Sequence, residues 1–143
     1  MKRICFILLF AGLLHAQATK PFMGMRYGLG SPTGHVGVLA GFQTETFAPF
    51  VFVDFGTCGY CFLLTAGAGA SYDYNKKYYL GGSLGYTKGA SLGGDLSGIS
   101  YAIAFGKHLS QRLKLELGVD YLHQVGPVFF GGRLRYQYLG GGS

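Results

Sequence analysis

Between residues 113 and 121 the chain alternates without a break. Leu113, Leu115, Leu117, Val119 and Tyr121 fall on one side, and Lys114, Glu116, Gly118 and Asp120 on the other. Successive side chains of a β-strand point to opposite faces, so this pattern describes a strand lying between two different environments. The pattern recurs. Phe130, Leu134, Tyr136 and Tyr138 oppose Arg133, Arg135 and Gln137; Tyr101, Ile103 and Phe105 oppose Ser100, Ala102, Ala104 and Gly106; Met23, Met25, Tyr27 and Leu29 oppose Gly24, Arg26 and Gly28. Clusters of turn-forming residues divide the chain into eight such segments, near 22–30, 35–43, 49–56, 62–74, 78–87, 98–107, 112–122 and 127–139. The longest connection is expected over 88–97. Most segments have the roughly 9–11 residues that a tilted barrel strand needs to cross a bilayer.

Composition removes the helical alternatives. Twenty-six glycines argue against helices, because glycine costs about 1 kcal/mol in a helix interior. Only 13 % of residues are charged, against about 25 % in soluble domains. After Leu14 no apolar run approaches the roughly 20 residues of a membrane helix. A membrane protein built from the remainder must therefore be a closed barrel, the other structure that satisfies its backbone in lipid. The first residues read as an export signal: basic Met1-Lys2-Arg3, an apolar stretch from Ile4 to Leu14, and the small-x-small site Ala16-Gln17-Ala18. Residues 1–18 are thus expected to be a signal peptide cleaved after Ala18. A single barrel domain should then span 19–139, with a Gly-rich tail over 140–143. The formal charge of +6 is scattered, with no basic stripe among exposed aromatics, so nucleic acid is not an expected partner.

Alternation fits a soluble barrel with an apolar inside or a membrane barrel with an apolar outside. The tyrosines decide between them. On the apolar face, Tyr72, Tyr74, Tyr78, Tyr136 and Tyr138 fall near one rim, and Tyr27, Tyr86, Tyr101 and Tyr121 near the other, with aliphatic residues between. Tyrosine favours an interface where its ring is apolar and its hydroxyl wet, so two such girdles predict lipid around the wall. The expectation is all-β: an eight-stranded antiparallel up-and-down transmembrane β-barrel. Both ends of the chain fall on the periplasmic side, with the shorter turns.

With those segments in place, the chain resembles the small eight-stranded outer-membrane proteins of the OmpA-transmembrane-domain, OmpX and opacity type. The resemblance spans the whole mature chain as a pattern. Its most specific part is Gly131-Gly132-Arg133-Leu134-Arg135-Tyr136-Gln137-Tyr138, which looks like the C-terminal strand signal read by the outer-membrane assembly machinery. In that family the aromatic residue usually comes last, whereas here Leu139 and the tail follow. The resemblance implies the bacterial outer membrane, with that membrane's lipid and the assembly machinery as partners, and a monomer.

The other face should carry glycine, alanine, serine and charges. Arg26, Lys114, Arg133 and Arg135 are expected inside with Asp54, Asp73, Glu116 and Asp120. After closure the cluster of Arg26, Lys114, Glu116, Arg133 and Arg135 should meet near mid-height. It would serve either as the constriction of a narrow porin-like channel or as a plug of salt bridges, and eight strands leave room for little more than side chains. Cys58 and Cys61 fall in one connection. No second pair supplies the four ligands of a structural zinc site, and export through an oxidising compartment favours a disulfide. His35, His108 and His123 are isolated. In lipid-A-modifying barrels the resemblance would call for a His-x-Ser motif, but Gln124-Val125 follows His123; the alternative trio His123, Asp120 and Ser97 is of a kind any barrel supplies. No catalytic residue, metal ligand or cofactor is assigned, and the favoured role is structural or surface interaction.

Overall fold

In the computed structural model, residues 20–31, 34–57, 59–123 and 125–139 are described. The expected signal peptide, Cys58 and the tail lie outside them. The strands are β1 (Lys20–Ser31), β2 (Gly34–Gln43), β3 (Phe47–Thr57), β4 (Cys61–Asp73), β5 (Tyr78–Ser91), the two-residue β6 (Gly94–Asp95), β7 (Gly98–His108), β8 (Leu113–Leu122) and β9 (Gly126–Leu139). Each long strand pairs antiparallel with its neighbours in sequence. β1 pairs with β9 and β4 with β5, so eight strands close into an up-and-down barrel with no free edge. Among the described residues no helix is long and apolar enough to cross a membrane.

The faces divide as the alternation requires. Met23, Leu29, Ile103, Leu117 and Phe130 are each at least 65 % exposed on the outer wall, while Arg26, Lys114, Glu116, Arg133 and Arg135 are at most 6 % exposed inside. The barrel is therefore the reverse of a soluble one, with apolar surface outside and charge within.

Connections at the rim where β1 starts and β9 ends (the terminal rim) are short, and each is held by one side chain. Thr44 Oγ1 accepts from Phe47 N (2.9 Å). Asn75 Oδ1 accepts from Lys77 N and Tyr78 N (both 2.8 Å). Ser110 Oγ accepts from Leu113 N (3.0 Å). Such short polar side chains favour turns because they replace a backbone partner locally. At the opposite rim, the loop rim, the expected loop over 88–97 is shorter than the sequence suggests. β5 runs on to Ser91, the chain reverses, and β6 folds back on Ala90 and Ser91. Gly94 adopts φ 128° in that reversal, which a residue with a Cβ rarely does. A register shift at Asp120/Tyr121 bulges β9 against β8 beside Gly126.

Candidate functional site

The lumen is where this chain concentrates its buried polar groups, and the ladder shows how they meet. On β1, β2 and β3, Arg26, Gly37 and Asp54 stand side by side in register. Gly37 has no side chain, so Arg26 reaches over it: Nε donates to Asp54 Oδ1 at 2.8 Å and Nη2 donates to Oδ2. This two-bonded pairing matches the fork of the guanidinium to the carboxylate. The device repeats twice. Gly28 separates Arg133 from His35 in register, and Arg133 Nε donates to His35 Nε2 across it (3.1 Å). Gly106 separates Tyr79 from Glu116, and the Tyr79 hydroxyl donates to Glu116 Oε1 (2.7 Å). A Cβ at Gly37, Gly28 or Gly106 would collide with Asp54, His35 or Tyr79 respectively. These glycines make room for the groups that fill the barrel.

The cluster expected at mid-height divides into two tiers. Toward the loop rim, Arg26 binds Asp54, and Arg133 Nη2 binds Asp120. Arg26 lies 4.2 Å over the ring of Phe52, and Arg133 lies 4.7 Å over Phe129, which also meets His35 edge-on. Toward the terminal rim, Arg135 Nη1 stands 3.6 Å from Glu116 Oε1, an ion pair longer than a hydrogen bond. Arg135 sits over Phe50 (4.6 Å) and Phe22 (5.4 Å), and Lys114 Nζ over Tyr79 (5.1 Å). At the terminal rim itself Asp73 Oδ1 meets His108 Nε2 (2.9 Å) and Asp73 Oδ2 accepts weakly from Gln43 (3.4 Å).

Five aromatic rings, Phe22, Phe50, Phe52, Tyr79 and Phe129, are therefore part of the filling, where the sequence reading supplied only small residues and charges. Strand parity could have found them. Phe50 and Phe52 share the parity of Asp54, Phe22 that of Arg26, and Phe129 that of Arg133. Opposite this charged side, β4, β5 and β7 turn Thr65, Ser83, Thr87 and Ser100 toward a cavity of about 40 Å³; a second, of about 20 Å³, lies against Glu116 and Arg135. One water needs roughly 10–15 Å³ measured this way, so the first has room for a few waters and the second for about one.

Of the nine tyrosines expected in the girdles, eight lie on the outer wall, and Tyr74 falls past the end of β4 in the turn at the terminal rim. Tyr72, Tyr74, Tyr78, Tyr136 and Tyr138 stand toward the terminal rim, and Tyr27, Tyr86, Tyr101 and Tyr121 toward the loop rim, where Tyr101 and Tyr121 stack (5.1 Å). Cys61 is buried and disulfide-bonded. Of the alternative trio, Asp120 is engaged by Arg133, Ser97 Oγ bonds Asp95, and His123 is exposed with its backbone N donating to Ile99 O. No group of three or more His, Cys, Asp or Glu able to hold a metal occurs among the described residues.

No protein-family model matches the sequence, and no curated protein matches it. Solved structures do match in shape. The crystal structure of Ail, the attachment invasion locus protein of Yersinia pestis, superposes with a TM-score of 0.54 at 11 % identity, covering 84 % of this chain and 97 % of Ail. Ail in phospholipid bilayer nanodiscs gives 0.59 at 11 % identity over 85 % and 100 %. A de novo designed barrel, TMB2.3, gives 0.53 at 14 % over 82 % and 92 %. The fold is that of the small eight-stranded membrane barrels. At such identities the likeness carries architecture alone, since function lives in sites grafted on folds.

Proposed function

We propose that this chain is a bacterial outer-membrane barrel, exported by its N-terminal signal, with a plugged lumen and a structural or surface-interaction role. The observation that carries the plug is the bonding of Arg26 to Asp54 and of Arg133 to Asp120 and His35 inside the barrel, along the strands from β8 to β3, with five aromatic rings packed among them. In this reading the terminal rim faces the periplasm and the loop rim faces outward, the usual arrangement of short turns and longer loops. The outward surface is small. Its most exposed apolar groups are Leu92 (88 %) and Tyr60 (76 %), on adjoining loops tied together where Cys61 pairs with Ser91. In this reading they are the contact points for a surface partner, Tyr60 bringing an apolar ring with a polar hydroxyl, a residue type enriched at interfaces.

Two measurements test this. A folded membrane barrel keeps its compact migration in SDS until boiled, so heated and unheated samples should run apart; a cleaved protein that is monomeric and soluble without detergent would overturn the membrane assignment. In planar bilayers the wild type should show no steady conductance. The competing narrow-channel reading rests on the hydroxyl-lined cavities beside β4, β5 and β7, and steady single-channel current would favour it.

A further inference from the structure

The outer wall is not evenly filled. Across β9, β1, β2 and β3 it carries a groove of about 480 Å³ in the half nearer the terminal rim. Register explains the dip. Tyr138, Met23, Ala40 and Val51 stand side by side on these four strands, and Ala40 brings only a methyl group between longer neighbours. Leu39 and Phe52, whose side chains are buried on the lumen side, also contribute to the lining, so the floor of the groove is strand backbone. Apart from tyrosine hydroxyls, no polar side chain lines it.

A cation stands at its edge. Arg112, in the connection between β7 and β8, holds its guanidinium over the ring of Tyr138 at 5.6 Å. Among the described residues no carboxylate pairs with Arg112. The acids of this rim, Glu45 and Asp73, line a separate cleft among the turns, where Asp73 holds His108. A guanidinium stacked on a ring keeps its N–H edge for an oxyanion, and its fork fits two oxygens of a phosphate. An apolar groove with such a group beside it suits one kind of ligand, a hydrocarbon chain joined to a phosphate.

We propose that this groove binds one phospholipid with a net-anionic headgroup, of the phosphatidylglycerol type, its acyl chain lying over Ala40 and its phosphate on Arg112. The proposal rests on the reading above that lipid surrounds the wall and that the terminal rim faces the periplasm. Placement favours lipid over a protein partner, because Tyr138 belongs to the girdle where headgroup gives way to chain. Charge favours the anionic class, because a zwitterionic headgroup brings a cation of its own to compete for the phosphate.

The experiment presents the folded mature barrel with an equimolar mixture of phosphatidylglycerol and phosphatidylcholine of identical chains. Native mass spectrometry then counts the lipid retained after detergent exchange. The wild type should keep one phosphatidylglycerol, preferred about tenfold over phosphatidylcholine, since a hydrogen bond to a charged group is worth that much or more. Arg112→Gln should lose the preference. Ala40→Leu should lose the retained lipid by filling the groove, whereas Ala66→Leu, on the outer wall of β4 outside the groove, should keep it. Lys107→Gln, an outward cation farther round the same rim, should keep the preference. No retained lipid, equal retention of the two lipids, or a preference that survives Arg112→Gln overturns the site. So does an equal loss in Lys107→Gln, which would mean a diffuse charge effect, or undiminished retention in Ala40→Leu. Should Ala40→Leu fail to fold, the wild-type preference and Arg112→Gln decide. Migration in SDS is read on the same samples: a barrel that shifts on heating but retains no phosphatidylglycerol fails this proposal and leaves the membrane assignment standing.

Discussion

Toward the loop rim, Arg26 meets Asp54 and Arg133 meets Asp120, one carboxylate to each guanidinium; toward the terminal rim, Arg135 faces Glu116 at 3.6 Å and Lys114 lies over the Tyr79 ring. The register alone would have paired them otherwise. Glu116 stands directly across the ladder from Arg133, and Lys114 across from Arg135. Like charges set directly opposite are destabilising. Arg133 instead runs along the barrel to Asp120 and over Gly28 to His35, leaving Glu116 to Arg135 and, over Gly106, to Tyr79. Inside a narrow barrel, long side chains thus choose partners diagonally or across a strand, and glycine decides which strands can be crossed.

The sharpest way to break the comparison is to remove a carboxylate from each tier. Asp54→Ala leaves Arg26 buried with no carboxylate bonded to it, and losing one partner of a buried pair costs about 3–5 kcal/mol. Glu116→Ala should fall toward the low end of that range, because its pair with Arg135 is longer (3.6 Å) and Arg135 keeps its contacts with Phe50 and Phe22. Urea unfolding in lipid or detergent measures both. Equal losses would mean that the tiers are electrostatically alike. On the outer wall the rule inverts. Leu115→Arg adds a charge where lipid is expected, and should cost about 2–4 kcal/mol if that position sits near the bilayer midplane. A neutral result would place Leu115 outside the apolar band.

The glycine bridges give a smaller, more local test. Gly106→Ala drives a Cβ into the Tyr79 ring and separates the phenol from Glu116. Overpacking of this kind costs about 1–3 kcal/mol. Gly82→Ala serves as the control, since a Cβ there meets nothing nearer than 3.7 Å. If both variants are equally stable, Gly106 is not holding the crossing open.

Which parts of this were legible beforehand follows from the physics of the strand. Facing was legible wherever the two sides differ in chemistry, as in β8 with Leu115 and Leu117 against Lys114 and Glu116. It was obscured in β3, where Phe50 and Phe52 point inward while Val51 and Val53 point outward, so both faces are apolar and hydrophobicity does not alternate. Partners were not legible at all. Sliding a strand by two residues keeps every side chain on its face, so alternation is blind to whether Arg26 meets Asp54 or Glu116. The extension of β5 to Ser91 was hidden because Gly89, Gly93 and Gly94 read equally well as loop.

The last and smallest effect distinguishes a charge bonded to its carboxylate from one that is not. Lys114 is 2 % exposed, its Nζ has no hydrogen bond among the described residues, and it lies 5.1 Å from the centre of the Tyr79 ring. Replacing it with Met keeps much of the side-chain length and removes a buried charge that is hydrogen-bonded to no carboxylate among the described residues. Replacement of buried ionic groups by apolar ones of similar volume is often neutral or stabilising. Lys114→Met should therefore change unfolding free energy by no more than about 1 kcal/mol, and in the stabilising direction if at all. Arg26→Met, at the same depth but with its carboxylate left behind, should lose about 3–5 kcal/mol under identical conditions. If Lys114→Met proves as costly as Arg26→Met, the unbonded Lys114 is held as firmly by its surroundings as Arg26 is by its carboxylate, and the difference in contact geometry between the tiers has no energetic weight.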